Sequence, residues 1–303
     1  MRALLVPGLG PVPEDFLRRE YAEQRHWHQV AETLLGKPVR ADTLADHDVH
    51  SAVIVANALA ACERYRALGG EIHGVAGYSV GQYAALALAG AITPEVALRL
   101  AVARARLMQA HARPGMGMLG VTGLSQAAVE TLIAETTQGI EPSDARFLAV
   151  TNYNNARNIT VGGSHDLLER FAEGALAAGA MQARLIVTEG AWHSRMLNPA
   201  LAEFNSLVES VAIRAPVLPF ADNATGRVES APERLRRNLL AHLVSPVRWE
   251  ASVRSLIAAG ADSFLECGAG NLLTKFLFFI DRDKPCRPLH RLEDIRQCAA
   301  SPA

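Results

Sequence analysis

HGVAGYSVGQYAALALAGA, residues 73–91, sets a single serine, Ser79, inside a Gly-x-Ser-x-Gly frame. Gly77 and Gly81 stand at the spacing of a nucleophile elbow, in which the serine sits on a sharp strand-to-helix turn. Only small neighbours let a backbone close that tightly. EIHGVA before the turn reads as a short strand. QYAALALAGA after it, rich in alanine and leucine with few breakers before Gly90, reads as a helix. In a chain with 23 glycines the pentapeptide alone is compatible with chance, and its flanks favour the elbow.

Working outward, RALLVP at 2–7 predicts a buried first strand that runs into the glycine turn GLG. Residues 14–35 and 51–68 read as helices. A long helix follows from Pro94 to His111, with Thr93 as its cap and Pro94 in its first turn. ARPGMGM, 112–118, marks a break. The order then becomes strand, helix, strand, strand, helix, strand over about 115–188, the ferredoxin-like split unit. The expected fold class is α/β. A large α/β-hydrolase-like domain with a parallel sheet, residues 1–114 and 189–303, carries an inserted ferredoxin-like subdomain at 115–188. Further helices are expected near 196–211, 231–243 and 248–260, then the strand DSFLEC and a turn GAGN opening a last helix. The tail after Ile280 is polar and reads as peripheral.

The 303 residues can bury a large core, and with half of them hydrophobic and a fifth charged the composition is that of a soluble globular protein. A formal net charge of -1 gives no electrostatic reason for a nucleic-acid or anionic-membrane partner. MRALLVPGLG has too short an apolar run for a signal peptide, and no segment resembles a transmembrane span. Cys62, Cys267, Cys286 and Cys298 show no Cys-x-x-Cys pairing and suit reduced thiols, so a cytoplasmic protein is expected.

A serine nucleophile needs a base. Ten histidines compete for that role. HWH at 26–28 and DHDVH at 46–50 look ligand-like but lack an HExxH frame or a nearby cysteine pair, so they read as solvated histidines and no metal is expected. His193, in TEGAWHSRML, lies between the proposed insert and the returning domain, where a cleft would open. A packed histidine beside Trp192 is the bland alternative, and spacing leaves both open. Arg104, in LRLAVARARLMQA, is either a solvent-side charge or a fork aimed at a buried anion.

Several ordered motifs resemble the malonyl-CoA:acyl-carrier-protein transacylase family. VPGLG at 6–10 stands for its Phe-Pro-Gly-Gln-Gly and GYSVG at 77–81 for its Gly-His-Ser-Leu-Gly. ARARLMQ at 103–109 and NYNNARNITVGG at 152–163 match two further segments. AWHS at 191–194, SPVRW at 245–249 and ECGAGNLLT at 266–274 complete the series, so the resemblance runs from Leu4 to about Ile280.

The resemblance implies a ping-pong transfer from an acyl-CoA, with Ser79 as nucleophile and His193 as base. It implies that the backbone carbonyl of His242 orients His193 where a Ser-His-Asp triad would use an acid. The backbone N–H groups of Leu9 and Val80 would form the oxyanion hole. Arg104 would grip the free carboxylate of a malonyl-type acyl group. His50, Asn158 and Trp192 stand where the family has its usual substrate-side glutamines and phenylalanine. Leu9 replaces a glutamine and Tyr78 a histidine, so the departures gather around the acyl site. The implied substrate is malonyl-CoA and the implied partner an acyl carrier protein bearing phosphopantetheine. No cofactor is implied, and the chain is expected to act as a monomer. A malonate decarboxylase transacylase subunit, a trans-acting polyketide acyltransferase, an editing thioesterase and a carrier-docking scaffold remain open beside that reading.

Overall fold

The computed structural model describes residues 1–10, 25–268 and 270–300. The start of the helix expected from residue 14, as far as residue 24, and Ala269 of the GAGN turn lie outside these residues. RALLV is buried along its whole length, which suits a strand covered on both faces, and it forms β1 (Arg2–Val6). The chain continues through α1 (Arg25–Leu35), α2 (His47–Ala67), β2 (Gly74–Gly77), α3 (Gly81–Leu88) and α4 (Pro94–Ala110). Thr93 caps α4, its hydroxyl accepting from the Val96 N–H at 3.3 Å, and Pro94 follows in the first turn.

After the break come β3 (Met116–Thr122), α5 (Gln126–Thr136), β4 (Leu148–Asn155), β5 (Asn158–Ser164), α6 (His165–Ala177) and β6 (Gln182–Ile186). The return path is a 3-10 turn (Arg195–Ala200), α7 (Leu201–Glu209), β7 (Phe220–Ala221), α8 (Pro232–Val244) and α9 (Trp249–Ala258). The chain ends with β8 (Ser263–Cys267), α10 (Leu272–Ile280), β9 (Cys286–Leu289) and α11 (Leu292–Ala300). The helix expected over 196–211 begins as the 3-10 turn because Pro199 lies inside it.

The large sheet has the order β7-β2-β1-β8-β9, and every pairing in it is parallel. Side chains alternate across it. Leu4 and Val6 enter the core shared with α2, α3 and α4, whereas Ala3 and Leu5 enter a second core with α9 and α10. The small sheet is antiparallel with the order β4-β5-β3-β6, the ferredoxin-like arrangement. Leu119, Val121, Val129 and Phe171 give it a core of its own beneath α5 and α6. Two backbone bonds join β4 to the segment entering α9. The Val247 N–H donates to the Thr151 carbonyl at 2.8 Å, and the Tyr153 N–H donates to the Val247 carbonyl at 2.9 Å.

The tail after Ile280 is not peripheral. β9 extends the large sheet beside β8, and α11 packs on α2 with Ile295 and Cys298 buried. The guanidinium of Arg2 bonds the Tyr65 hydroxyl and, at 3.2 Å, the Cys298 carbonyl, tying both ends of the chain to α2. The mostly polar sequence of α11 concealed this, because a short helix with one narrow apolar stripe reads as surface.

Candidate active site

The elbow is enforced by crowding. A Cβ on Gly77 would run into the backbone of Gly81 and Gln82, and one on Gly81 would lie 2.5 Å from the Val6 and Pro7 carbonyl oxygens. The same crowding turns Ser79 into the left-handed region, with φ at 52°. Among the described residues the only other non-glycine with positive φ is His193, at 57°. Two strained residues of this kind, from separate parts of the chain, meet at one point.

Ser79 Oγ lies 2.7 Å from His193 Nε2, and His193 Nδ1 lies 2.9 Å from the carbonyl oxygen of His242. A carbonyl only accepts, so Nδ1 carries the proton. Nε2 is therefore the lone-pair nitrogen and faces the serine hydroxyl. Arg104 Nη2 donates to the same nitrogen from 3.3 Å. Arg104 is only 2% exposed. No carboxylate among the described residues pairs with it, and its Nε has no hydrogen-bond partner there. The solvent-side alternative for Arg104 is thereby removed.

Burial, and secondarily the Arg104 charge, push the His193 imidazole down to about 3. Burial also pulls down the Arg104 guanidinium and holds His242 well below the usual imidazole range. His47 falls to about 4 by burial, with Arg104 and His50 adding to the effect. His193 is thus a neutral base at neutral pH. Unfolded imidazoles take up protons near 6.5, and these three resist doing so when folded. Stability is expected to be full above pH 6.5 and to fall as pH drops towards about 4, by up to about 1.4 kcal/mol per unit for each imidazole. Urea denaturation across that window checks this, and a midpoint that stays constant contradicts it.

Val80 opens α3 directly after the serine. The turn uses the N–H groups of Ser79, Gly81, Gln82 and Tyr83, and among the described residues none of its bonds uses the Val80 N–H. Leu9 follows Gly8, whose α-carbon abuts the elbow so closely that a Cβ there would sit 3.5 Å from the Ser79 Cβ. Trp192 is buried beside His193 and stacks on the His47 ring at 5.6 Å between centroids. His50 lies one turn beyond His47 on α2, its Nε2 buried without a hydrogen-bond partner among the described residues.

Asn158 opens β5 of the small sheet. Its amide accepts from Asn154 Nδ2 at 2.8 Å and donates to Thr122 Oγ1 at 3.4 Å, so both of its polar atoms serve the small sheet. The expectation of solvated histidines holds for His26, which is exposed, and needs correction for the others. His28 is buried, with its Nε2 2.7 Å from Asn57 Oδ1, and His47 is half-buried, beside Arg104 and stacked on Trp192, with His50 half-buried one turn further along α2. Helices from distant parts of the chain cover them, which local polarity does not report.

A model of the acyl transferase domain matches residues 20–278. The chain belongs to the acyl transferase domain family. It is 34% identical over 285 residues to the polyketide biosynthesis protein ThaF of Burkholderia thailandensis, covering 91% of this chain and 24% of that protein. It is 28% identical over 201 residues to the malonyl CoA-acyl carrier protein transacylase of Escherichia coli K12, covering 66% of this chain and 63% of the relative. It thus spans about a quarter of the first relative and somewhat under two thirds of the second. The solved malonyl CoA-acyl carrier protein transacylase of Coxiella burnetii superposes with a TM-score of 0.91 at 25% identity over 98% of this chain and 96% of that one. The acyl-carrier-protein S-malonyltransferase of Burkholderia pseudomallei does so at 0.91 and 26%, over 99% of each chain.

Sequence reasoning missed two supports of this acyl transferase's elbow. Asn223, which follows β7, accepts from the Ser79 N–H at 2.8 Å and donates through Nδ2 to the Gly77 carbonyl at 2.6 Å. The polar residues in VLPFADNATG, after an apolar run, are the signal that could have pointed to it. Tyr78 reaches the small sheet. Its hydroxyl donates to Asn154 Oδ1 at 2.7 Å and accepts from Asn152 Nδ2 at 2.9 Å. Tyr78→Phe leaves two buried amides short of a partner and is expected to cost about 1–3 kcal/mol by chemical denaturation. No change in midpoint would remove Tyr78 as a staple between the two sheets.

Proposed function

We propose that this acyl transferase moves a malonyl group from coenzyme A to the phosphopantetheine thiol of an acyl carrier protein, through an ester on Ser79. The observation that carries this reading is the buried Arg104 guanidinium. It has no carboxylate partner among the described residues and converges on the same His193 nitrogen as the serine hydroxyl. A fork of five N–H donors held out of water fits an acyl group that brings its own carboxylate. A neutral acetyl group leaves that charge unpaired, at a penalty of several kcal/mol.

In the first half-reaction Ser79 Oγ attacks the thioester carbonyl carbon while His193 Nε2 takes the hydroxyl proton. The His242 carbonyl holds the imidazole and favours the imidazolium that forms. The N–H groups of Val80 and Leu9 receive the oxyanion, at about 3–4 kcal/mol of transition-state stabilisation per donor. Collapse breaks the carbon–sulfur bond, and the departing thiolate takes the proton from Nε2. The second half-reaction reverses these steps, with His193 removing the proton of the carrier thiol as its sulfur attacks the ester. Coenzyme A is consumed as substrate, and the chemistry needs no cofactor on this chain. Serine, imidazole and guanidinium all come from one chain, which supports action as a monomer. His47, beside Arg104, and Trp192, stacked on His47, shape the acyl end of the site, with His50 one turn further along α2.

Similarity to a polyketide biosynthesis protein at the higher of the two identities favours a polyketide carrier as acceptor. Radiolabelled malonyl-CoA followed by a phosphopantetheinylated carrier tests the whole scheme. Label is expected first on the enzyme and then on the carrier. Rapid release of free malonate without carrier would make the protein a hydrolase.

A further inference from the structure

Three buried residues, Asn223, Gln82 and His242, connect the serine turn to the histidine base by a chain of hydrogen bonds. Asn223 is held by the elbow backbone at Ser79 and Gly77, which fixes the orientation of its amide. Its own N–H donates to Gln82 Oε1 at 2.7 Å, so Gln82 must present its NH2 on the other side. Gln82 Nε2 donates to His242 Nδ1 at 3.3 Å. That contact places the lone pair of His242 on Nδ1 and its proton on Nε2. The carbonyl of the same residue then accepts from His193 Nδ1, and the two rings lie 4.7 Å apart. Each orientation along the chain follows from the one before it, beginning at the elbow backbone.

We propose that Asn223 and Gln82 are positioning residues that lock the Ser79 turn to His242, and so fix the distance and tautomer of the Ser79–His193 pair. This rests on the acyl-serine reading above, yet neither residue touches the acyl group. Asn223 follows β7, Gln82 lies in α3 and His242 in α8, so the relay spans three separate segments. It does the work that a buried carboxylate performs in a Ser-His-Asp triad, using neutral amides only. A neutral support suits this site because Arg104 already supplies its charge.

Gln82→Glu and Gln82→Met separate positioning from simple packing. Glutamate keeps an oxygen for the Asn223 N–H but turns a second, charged oxygen towards His242 Nδ1, which must then bind a proton. The groups facing the two imidazoles are Arg104 from α4 and each other, with Tyr83 of α3 and His47 of α2 next to Arg104. A carboxylate added there favours protonated imidazoles. The acid limb of serine reactivity is therefore expected to move up by about one pH unit or more. Methionine removes both amide contacts and is expected to slow malonyl loading about tenfold or more at an unchanged KM for malonyl-CoA.

Reactivity is read with a fluorophosphonate, in which Ser79 Oγ bonds phosphorus, fluoride leaves and His193 takes the proton. This probe needs no malonyl recognition. A shifted acid limb in Gln82→Glu, with slowed labelling in any Gln82→Met that folds, supports the relay. Wild-type rates and an unmoved profile in a folded Gln82→Glu overturn it, even if the melting temperature falls. If Gln82→Met does not fold, the glutamate profile alone decides. A wild-type protein that labels with the probe but never takes malonyl sinks the malonyl reading and leaves the relay to be judged on the probe. A wild-type protein inert to the probe overturns both.

Discussion

Ser79→Ala is expected to acquire no malonyl group from malonyl-CoA and to lose carrier loading by roughly four orders of magnitude or more. Among the described residues no other hydroxyl shares the position 2.7 Å from His193 Nε2. The fold should hardly notice the change. The Ser79 N–H still donates to Asn223, and alanine bears the same left-handed backbone as serine, with φ at 52°. Melting temperature is therefore expected to stay constant while intact-mass spectra lose the adduct. Ser79→Gly adds a control, because glycine relieves the positive φ and is expected to gain about 1 kcal/mol in denaturation. An alanine variant that still forms the acyl adduct would move the nucleophile elsewhere.

Arg104→Met is expected to split stability from selectivity. At 2% exposure the guanidinium is one of the largest fully buried side chains, and its only hydrogen bond within the described residues runs to a neutral imidazole. An apolar side chain of similar length removes an uncompensated charge from the core. The variant is expected to gain at least about 1 kcal/mol in urea denaturation. Malonyl loading is expected to fall about a hundredfold or more, the worth of a buried bidentate pair, while acetyl loading holds or rises. Competition between the two thioesters in one tube measures the ratio directly. An unchanged ratio takes Arg104 out of acyl recognition, whatever happens to stability.

The parts of the site that were legible are those written locally. Gly77, Ser79 and Gly81 fall within five residues, so the motif is read locally even though the crowding that demands Gly81 comes from Val6 and Pro7 of the first strand and its turn. The Thr93–Pro94 start of α4 is equally local. The large sheet was legible at β1 because Ala3–Val6, after Arg2, is a continuous apolar run, as the two-sided parallel strand here requires. His193 stands 114 positions from Ser79, and nothing in its own neighbourhood separates a base from a packed histidine. Resemblance of ordered motifs supplied that pairing, and it named Arg104 where helix spacing left two faces open. It did not supply Asn223, whose side-chain amide bonds backbone groups 144 and 146 positions away that carry no side-chain signature. The same distance effect hid the burial of His28, the half-burial of His47 and the docking of α11 on α2. Each depends on which surface arrives to cover it.

The proposed transfer requires that one hydroxyl, one imidazole and one buried guanidinium act together on an acyl group that carries a carboxylate. Intact-mass spectrometry after brief incubation with equal malonyl-CoA and acetyl-CoA tests this in one measurement, with peptide mapping of the adduct. The expected spectrum shows a single malonyl group, mapped to Ser79, with acetyl at least about a hundredfold less abundant. An adduct on another residue, or acetyl and malonyl in equal amounts, would contradict it.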